Sequence, residues 1–174
     1  RRQRQMCIRD SNITGLVNNA GITYNSLFQM STEDNIRENL DVNYIGPFLL
    51  TQYVVKLMSR TGGGSIVSIS SSAAIDANSG RSAYGASKAA LLCSTKALSR
   101  EVGNLNIRAN IIAPGITKTD MISSMTEEVI DQTVKSVSLN RCGDPKEIAN
   151  ACTFLLSDLS SYVTGQTIRV DGGM

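Results

Sequence analysis

The sequence predicts an α/β fold in which a parallel sheet is wound with helices on both faces. Two observations carry this. Short apolar or β-branched stretches alternate with long helical patterns, in the order β-α-β-α-β-loop-α-β, and alternation at this spacing calls for helical crossovers between parallel strands. The strands run into turn-forming residues, among them Asn18-Asn19-Ala20-Gly21, Ser70-Ser71-Ser72 and Pro114-Gly115. In such sheets ligands bind beyond the carboxyl ends of the strands, so these three loops are expected to converge on one edge.

The elements follow in order. Ile13–Val17 is an apolar stretch that reads as a strand, closed by the Asn18–Gly21 turn. Ser31-Thr32-Glu33-Asp34 opens a helix with a hydroxyl cap and acids in its first turn. That helix is expected to reach about Ser59, distorted near Pro47. Gly62-Gly63-Gly64 turns into the strand Ser65–Ile69. These glycines end a helix and precede a strand, the reverse of a phosphate-cradling loop. Ser71–Gly80 reads as a small-residue loop, and a helix from about Arg81 to Gly103 follows. Asn106–Ala113 is the next strand, stopped by Pro114-Gly115. Residues 116–140 are polar, Met-rich and weakly periodic, the pattern of a mobile lid. Asp144-Pro145-Lys146-Glu147 starts a further helix with a cap, a proline at its first position and an acid in its first turn. Thr167–Val170 is the last strand, ended by Asp171-Gly172-Gly173.

Composition narrows the function. A chain of 174 residues that is 41% hydrophobic and 18% charged fits a globular domain with a sizeable core. No apolar run approaches the roughly 18–20 residues of a membrane span, and no apolar segment follows the opening Arg1-Arg2-Gln3-Arg4 to make a signal peptide. The net charge of +2 comes from the first eleven residues, which hold four arginines and one acid; the rest carries 13 basic and 14 acidic residues. Nothing in that remainder suggests a nucleic-acid partner. Cys7, Cys93, Cys142 and Cys152 have no paired spacing, and the chain has no histidine. A zinc site is not expected from these spacings, nor any other metal; the absence of histidine excludes Ser-His-Asp and Cys-His catalysis, and free thiols in a reducing compartment are the default.

With no histidine, acid/base chemistry needs another pair, and Tyr84-Gly85-Ala86-Ser87-Lys88 offers one. A phenol and an ammonium four residues apart share one helix face. A free phenol has a pKa of about 10, and a cation within about 4–6 Å lowers it by roughly 1–3 pKa units. The spacing alone arises by chance in roughly one chain in six of this composition, so an ordinary exposed helix face is the competing reading.

The neighbours of the pair supply a context. Asn18-Asn19-Ala20-Gly21, Asn43 on the long helix, Ser71 thirteen residues before Tyr84, Tyr84-x-x-x-Lys88, Pro114-Gly115 with Thr119, and Val163-Thr164-Gly165-Gln166…Val170-Asp171-Gly172-Gly173 stand together in order. Over residues 13–174 the chain resembles the short-chain dehydrogenase/reductase family. Thr119-Asp120-Met121 and the closing Thr164-Gly165…Asp171-Gly172-Gly173-Met174 are most similar to the 3-oxoacyl-(acyl-carrier-protein) reductases, although sugar, steroid and small-alcohol dehydrogenases share much of the pattern.

The resemblance implies a Rossmann-type fold and an NADP(H)-dependent reduction of a 3-oxoacyl thioester, with NAD as the alternative cofactor. It makes Tyr84 the general acid and Lys88 the group that lowers the Tyr84 pKa and holds the nicotinamide ribose. Ser71 hydrogen-bonds the substrate oxygen, and Asn43 holds a water that links Lys88 to solvent. Asn19, Ala20 and Gly21 approach the cofactor by backbone, while Pro114, Gly115, Thr117 and Thr119 contact its carboxamide and phosphate end. Spacing favours Ser71 over Ser70 and Ser72. Asn43 has a second reading as a cap near the Gly46-Pro47 kink, and Asn18-Asn19 as turn chemistry. Met121, Ile122 and Met125 read as lid packing around an acyl pocket.

The same resemblance implies an acyl thioester partner, free or on acyl carrier protein, a homotetramer, and a cytoplasmic or organelle-matrix location, with no nucleic acid and no membrane. The family's first third, with its Gly-rich phosphate turn, has no counterpart in these residues. Residues 12–174 are therefore expected to be the C-terminal two-thirds of one such domain, with Ile13–Val17 as an exposed sheet edge. Residues 1–11 are expected to be a non-native or disordered arm. An inactive, truncated fragment is the alternative to an enzyme.

Overall fold

The computed structural model describes residues 12–122 and 125–174. The arm expected over residues 1–11 lies outside the described residues. Among the described residues four strands form one wholly parallel sheet in the order β1-β2-β3-β4: β1 Gly15–Asn18, β2 Gly64–Ile69, β3 Ile107–Pro114 and β4 Thr167–Val170. Register runs straight across the sheet, with Asn18 beside Ser68 and Ser68 beside Ile111. β1 has a single neighbour and Val17 is 38% exposed, so this strand is an edge of the chain as it stands.

The helices cover both faces. α1, Glu33–Leu40, starts at Thr32, whose hydroxyl accepts the Asn35 N–H at 3.2 Å. It passes through a π-helical turn, Asp41–Ile45, into α2, Gly46–Met58. Pro47 explains the wide turn. It has no N–H for the Asn43 carbonyl, and the ladder just before it shifts so that the Gly46 N–H reaches Asp41. After β2 comes α3, Ala73–Asp76, and then α4, Ser82–Val102. α5 spans Glu127–Lys135 and α6 spans Pro145–Leu156. On one sheet face Val54 and Met58 of α2 and Val102 of α4 pack on Ile66, Ile107 and Ala109. On the other, Leu155 of α6 packs on Val67, Ile69 and Ile112. The alternation of Ile66 and Val67 between the two cores is the period-two pleat of a doubly covered strand. Among the described residues no helix is long and apolar enough to cross a membrane.

Two expectations need correction. The stretch read as a polar, weakly periodic lid contains α5, nine residues with Thr126 at the N-cap position, Glu127 and Glu128 in the first turn and Lys135 in the last. Its charges suit the helix dipole, a start signal that outweighs its weak apolar period. The Ser71–Gly80 loop contains the one-turn α3, which ends at Ala77 in the left-handed region, φ 54°. The triple glycine has a structural cause: Gly63 has φ 105°, and a Cβ there would run into the Asn106 carbonyl.

Candidate active site

α4 delivers Tyr84 and Lys88 to the carboxyl end of β2, one helical turn apart. Tyr84 is 6% exposed and Lys88 3% exposed. The Lys88 ammonium donates to the carbonyl of Ile69, the last residue of β2, at 2.9 Å. Burial pushes its pKa down to about 8, still cationic at neutral pH. Burial also pushes the Tyr84 phenol above its ordinary value, opposed by a hydrogen bond with Ser71 and by the Arg81 charge. The ammonium is engaged with Ile69, and the cation acting on the phenol is Arg81, three residues upstream.

The serine triplet divides its work. Ser70 donates to the Lys88 carbonyl at 3.0 Å, tying β2 to α4. Ser71 accepts the Ala73 N–H at 3.2 Å and meets the Tyr84 phenol. The Ser72 N–H donates to the Pro114 carbonyl at 2.9 Å, joining the loop after β2 to the loop after β3.

Asn43 is fully buried in the π-helical turn. Its Oδ1 accepts the Ile22 N–H at 2.8 Å, and its Nδ2 donates to the Ile22 carbonyl at 3.0 Å and to Ser87 Oγ at 2.9 Å. Ser87 in turn donates to the Tyr84 carbonyl at 2.7 Å. One amide thus clamps the loop after β1 to the helix that carries Tyr84. Gly21 lies inside this clamp: a Cβ there would stand 3.0 Å from Lys88 Nζ and 3.2 Å from Asn43 Oδ1.

The remaining expected site residues lie around this centre. Asn19 and Ala20 are exposed on the loop after β1. Gly115 packs against Asp171 and donates to the Val170 carbonyl at 3.1 Å, so its small size has a packing cause of its own. The hydroxyls of Thr117 and Thr119 bond carbonyls of their own loop, Gly115 and Thr117, and no hydrogen bond joins them to Tyr84 or Lys88. A cavity of about 410 Å³ opens beside this loop, between Ile116, Arg141, Ile148 and Arg169; Tyr84 does not line it. The reading from sequence missed Ser70, Ser87, Ile22 and Arg81. Ser87 and Arg81 sit three residues to either side of Tyr84, a helical spacing that marks them as its neighbours.

Comparison with known proteins gives a consistent picture. A family model described as enoyl-(acyl carrier protein) reductase matches residues 8–174. A 3alpha-hydroxysteroid dehydrogenase from Mediterraneibacter gnavus is 43% identical over 157 residues, covering 90% of this chain and 63% of the relative. The 3-oxoacyl-(acyl-carrier-protein) reductase FabG of Chlamydia muridarum is 42% identical over 159 residues, 91% of this chain and 64% of the relative. A crystal structure from Sinorhizobium meliloti 1021, provisionally named a short-chain alcohol dehydrogenase, superposes with a TM-score of 0.91 at 31% identity, over 98% of this chain and 68% of that one. The chain spans about 64% of the length of the curated relatives it matches.

Proposed function

The chain belongs to the short-chain dehydrogenase/reductase family, and on that footing we propose that it serves the reduction of a 3-oxoacyl thioester to the 3-hydroxyacyl form. The observation that carries this reading is the burial of the Tyr84 phenol, in hydrogen-bonding contact with Ser71, at the carboxyl end of β2. A phenol held above its ordinary value keeps its proton at neutral pH and so donates to a carbonyl oxygen. Ser71 gives the same oxygen a second donor and steadies negative charge as it develops.

The residues present fit the nicotinamide half of NADP(H), the cofactor proposed, with NAD as the alternative. An ammonium has three N–H donors, and Ile69 takes one from Lys88, leaving the others for ribose hydroxyls. Gly21, with no side chain beside Lys88, leaves room for a close approach. Asn19, Ala20, Pro114, Gly115, Thr117 and Thr119 are proposed to line the rest of that seat. When bound, the reduced cofactor supplies the hydride. Tyr84 supplies the proton, which passes from its hydroxyl to the substrate oxygen. The Asn43 carbonyl, for which Pro47 has no N–H, is proposed to anchor a water that returns a proton by way of Lys88. Among the described residues no Gly-rich turn leads from a strand into a helix, so the phosphate half is not assigned. An acyl thioester, free or on acyl carrier protein, a homotetramer, and the cytoplasm or an organelle matrix complete the proposal.

Tyr84→Phe tests it. NADPH oxidation by an acetoacetyl thioester is expected to fall by roughly 10²–10⁴-fold; undiminished turnover would refute the assignment. The 43% identity to a hydroxysteroid dehydrogenase favours a second reading, a steroid alcohol as substrate, and a panel of thioesters and steroids separates the two. Fluorescence titration of the 174-residue chain with NADPH decides whether it binds the cofactor unaided; absence of binding would favour an inactive fragment.

A further inference from the structure

We propose that the ion pair between Arg169 and Asp76 is a positioning device that holds the Ser71 hydroxyl against the Tyr84 phenol. The inference rests on the reading above, in which those two groups meet the substrate oxygen. Arg169 lies on β4 and Asp76 ends α3, 93 residues apart in sequence. Nη1 and Nη2 of Arg169 donate to the two Asp76 oxygens at 2.8 and 2.7 Å, a bidentate fork. The same guanidinium donates through Nε to Asp171 at 2.6 Å and through Nη2 to the Met174 carbonyl at 3.0 Å. The side chains of Arg169 and Asp76 are 32% and 38% exposed. A forked guanidinium shared with Asp171 and the Met174 carbonyl is held more firmly than a lone surface pair, although both partners are exposed.

What it holds is a single turn. α3 has four residues, far too few to persist without tertiary support. At its near end the Ala73 N–H donates to Ser71 Oγ at 3.2 Å and thereby orients that hydroxyl. The Ala73 carbonyl lies against Gly85, where a Cβ would come within 2.9 Å, so α3 also abuts the helix of Tyr84. At its far end residues 77–79 are exposed and Ala77 is left-handed. Arg169 fastens that end. Freed from it, α3 frays back toward Ala73, and Ser71 loses the N–H that orients its hydroxyl.

The readout follows from what acts on the phenol. Burial raises the Tyr84 pKa, while Ser71 and Arg81 oppose it. Arg81 immediately precedes the helix of Tyr84 and Lys88 lies on it, Ser71 comes from the loop after β2, and Asp76, Arg169 and Asp171 form the network at the far end of α3. Only the Ser71 contribution depends on the proposed device. With tyrosines replaced by 3-fluorotyrosine, whose phenol ionises at lower pH, ¹⁹F NMR follows Tyr84, assigned by its absence in Tyr84→Phe. Asp76→Asn and Arg169→Gln are expected to raise the Tyr84 midpoint by about half a pH unit, close to that of Ser71→Ala. Asp76→Glu keeps the carboxylate and is expected to restore the midpoint. In the Ser71→Ala background, Asp76→Asn is expected to shift nothing further. If the variants at the pair do not fold, the unsubstituted protein at about 1 M NaCl carries the test, because screening there acts within about 3 Å. Salt is expected to raise the midpoint more with Ser71 than with Ala at that position. An unchanged midpoint in Asp76→Asn, an equal shift without Ser71, or an equal salt response would overturn the proposal. None of these readouts needs turnover, so failure of the proposed reaction remains a separate result.

Discussion

Lys88 is an ammonium almost cut off from water, and pH reveals what that isolation does to stability. Its pKa is about 8 in the folded chain, against an ordinary value of 10.5. Between those values the unfolded chain binds more protons than the folded one, so stability rises with pH across that window and is flat below it. Tyr84 works the other way: its raised pKa makes stability fall as pH climbs above 10. Urea unfolding between pH 8 and 10 is therefore expected to show a gain of about 2–3 kcal/mol, and Lys88→Met is expected to flatten it. A second residue prediction concerns Asn43. Replacing it by alanine leaves the half-buried Ile22 N–H and carbonyl without their side-chain partners. A loss of about 2–4 kcal/mol in chemical denaturation is expected. The spacing from Tyr84 marked Lys88 from the sequence, and the family resemblance marked Asn43. The burial of the phenol and the contact of Lys88 with the Ile69 carbonyl were not legible, because neither is written in a local pattern.

Elements were legible where their ends carry chemistry. α6 begins as its sequence proposes: the Lys146 N–H donates to Asp144 Oδ1 at 2.8 Å, and the Asp144 N–H donates to Glu147 Oε2 at 2.8 Å, with Pro145 at the first position. Asp144→Ala is expected to lower stability by about 1–2 kcal/mol, read as a fall in the urea midpoint with unchanged slope. The far end of α6 was not legible. It is closed by Arg108, which donates to the carbonyls of Leu155 and Ser157 at 2.9 and 3.1 Å from 47 and 49 residues away. Pro47 announced a distortion, and the structure places it in the turn just before the proline, as a lost N–H requires.

At the scale of the molecule the two-sided sheet was legible from the alternation of strands and helices, since parallel neighbours need crossovers. The outer surface of α2 is less ordinary. Leu49, Leu50 and Leu57 are 46–50% exposed and Tyr53 is 69% exposed, a patch of the kind that marks an interface. It fits the proposed homotetramer, in which long helices pack between copies. Sedimentation velocity is expected to show association that Tyr53→Glu with Leu57→Glu disrupts; a protein that is monomeric before substitution would remove the proposal.

The parallel order of the sheet has a consequence for synthesis on the ribosome. β1 finds its partner in β2, fifty residues downstream across the Asn18–Ser68 pair. At roughly 5–20 residues per second, β1 emerges several seconds before β2. The edge of β1 that faces β2 waits through that interval without its partner, and an unpaired strand edge is a template for the wrong chain as much as for the right one. A polypeptide built this way depends on the interval being guarded, by α1 and α2 folding first or by a chaperone holding the nascent segment.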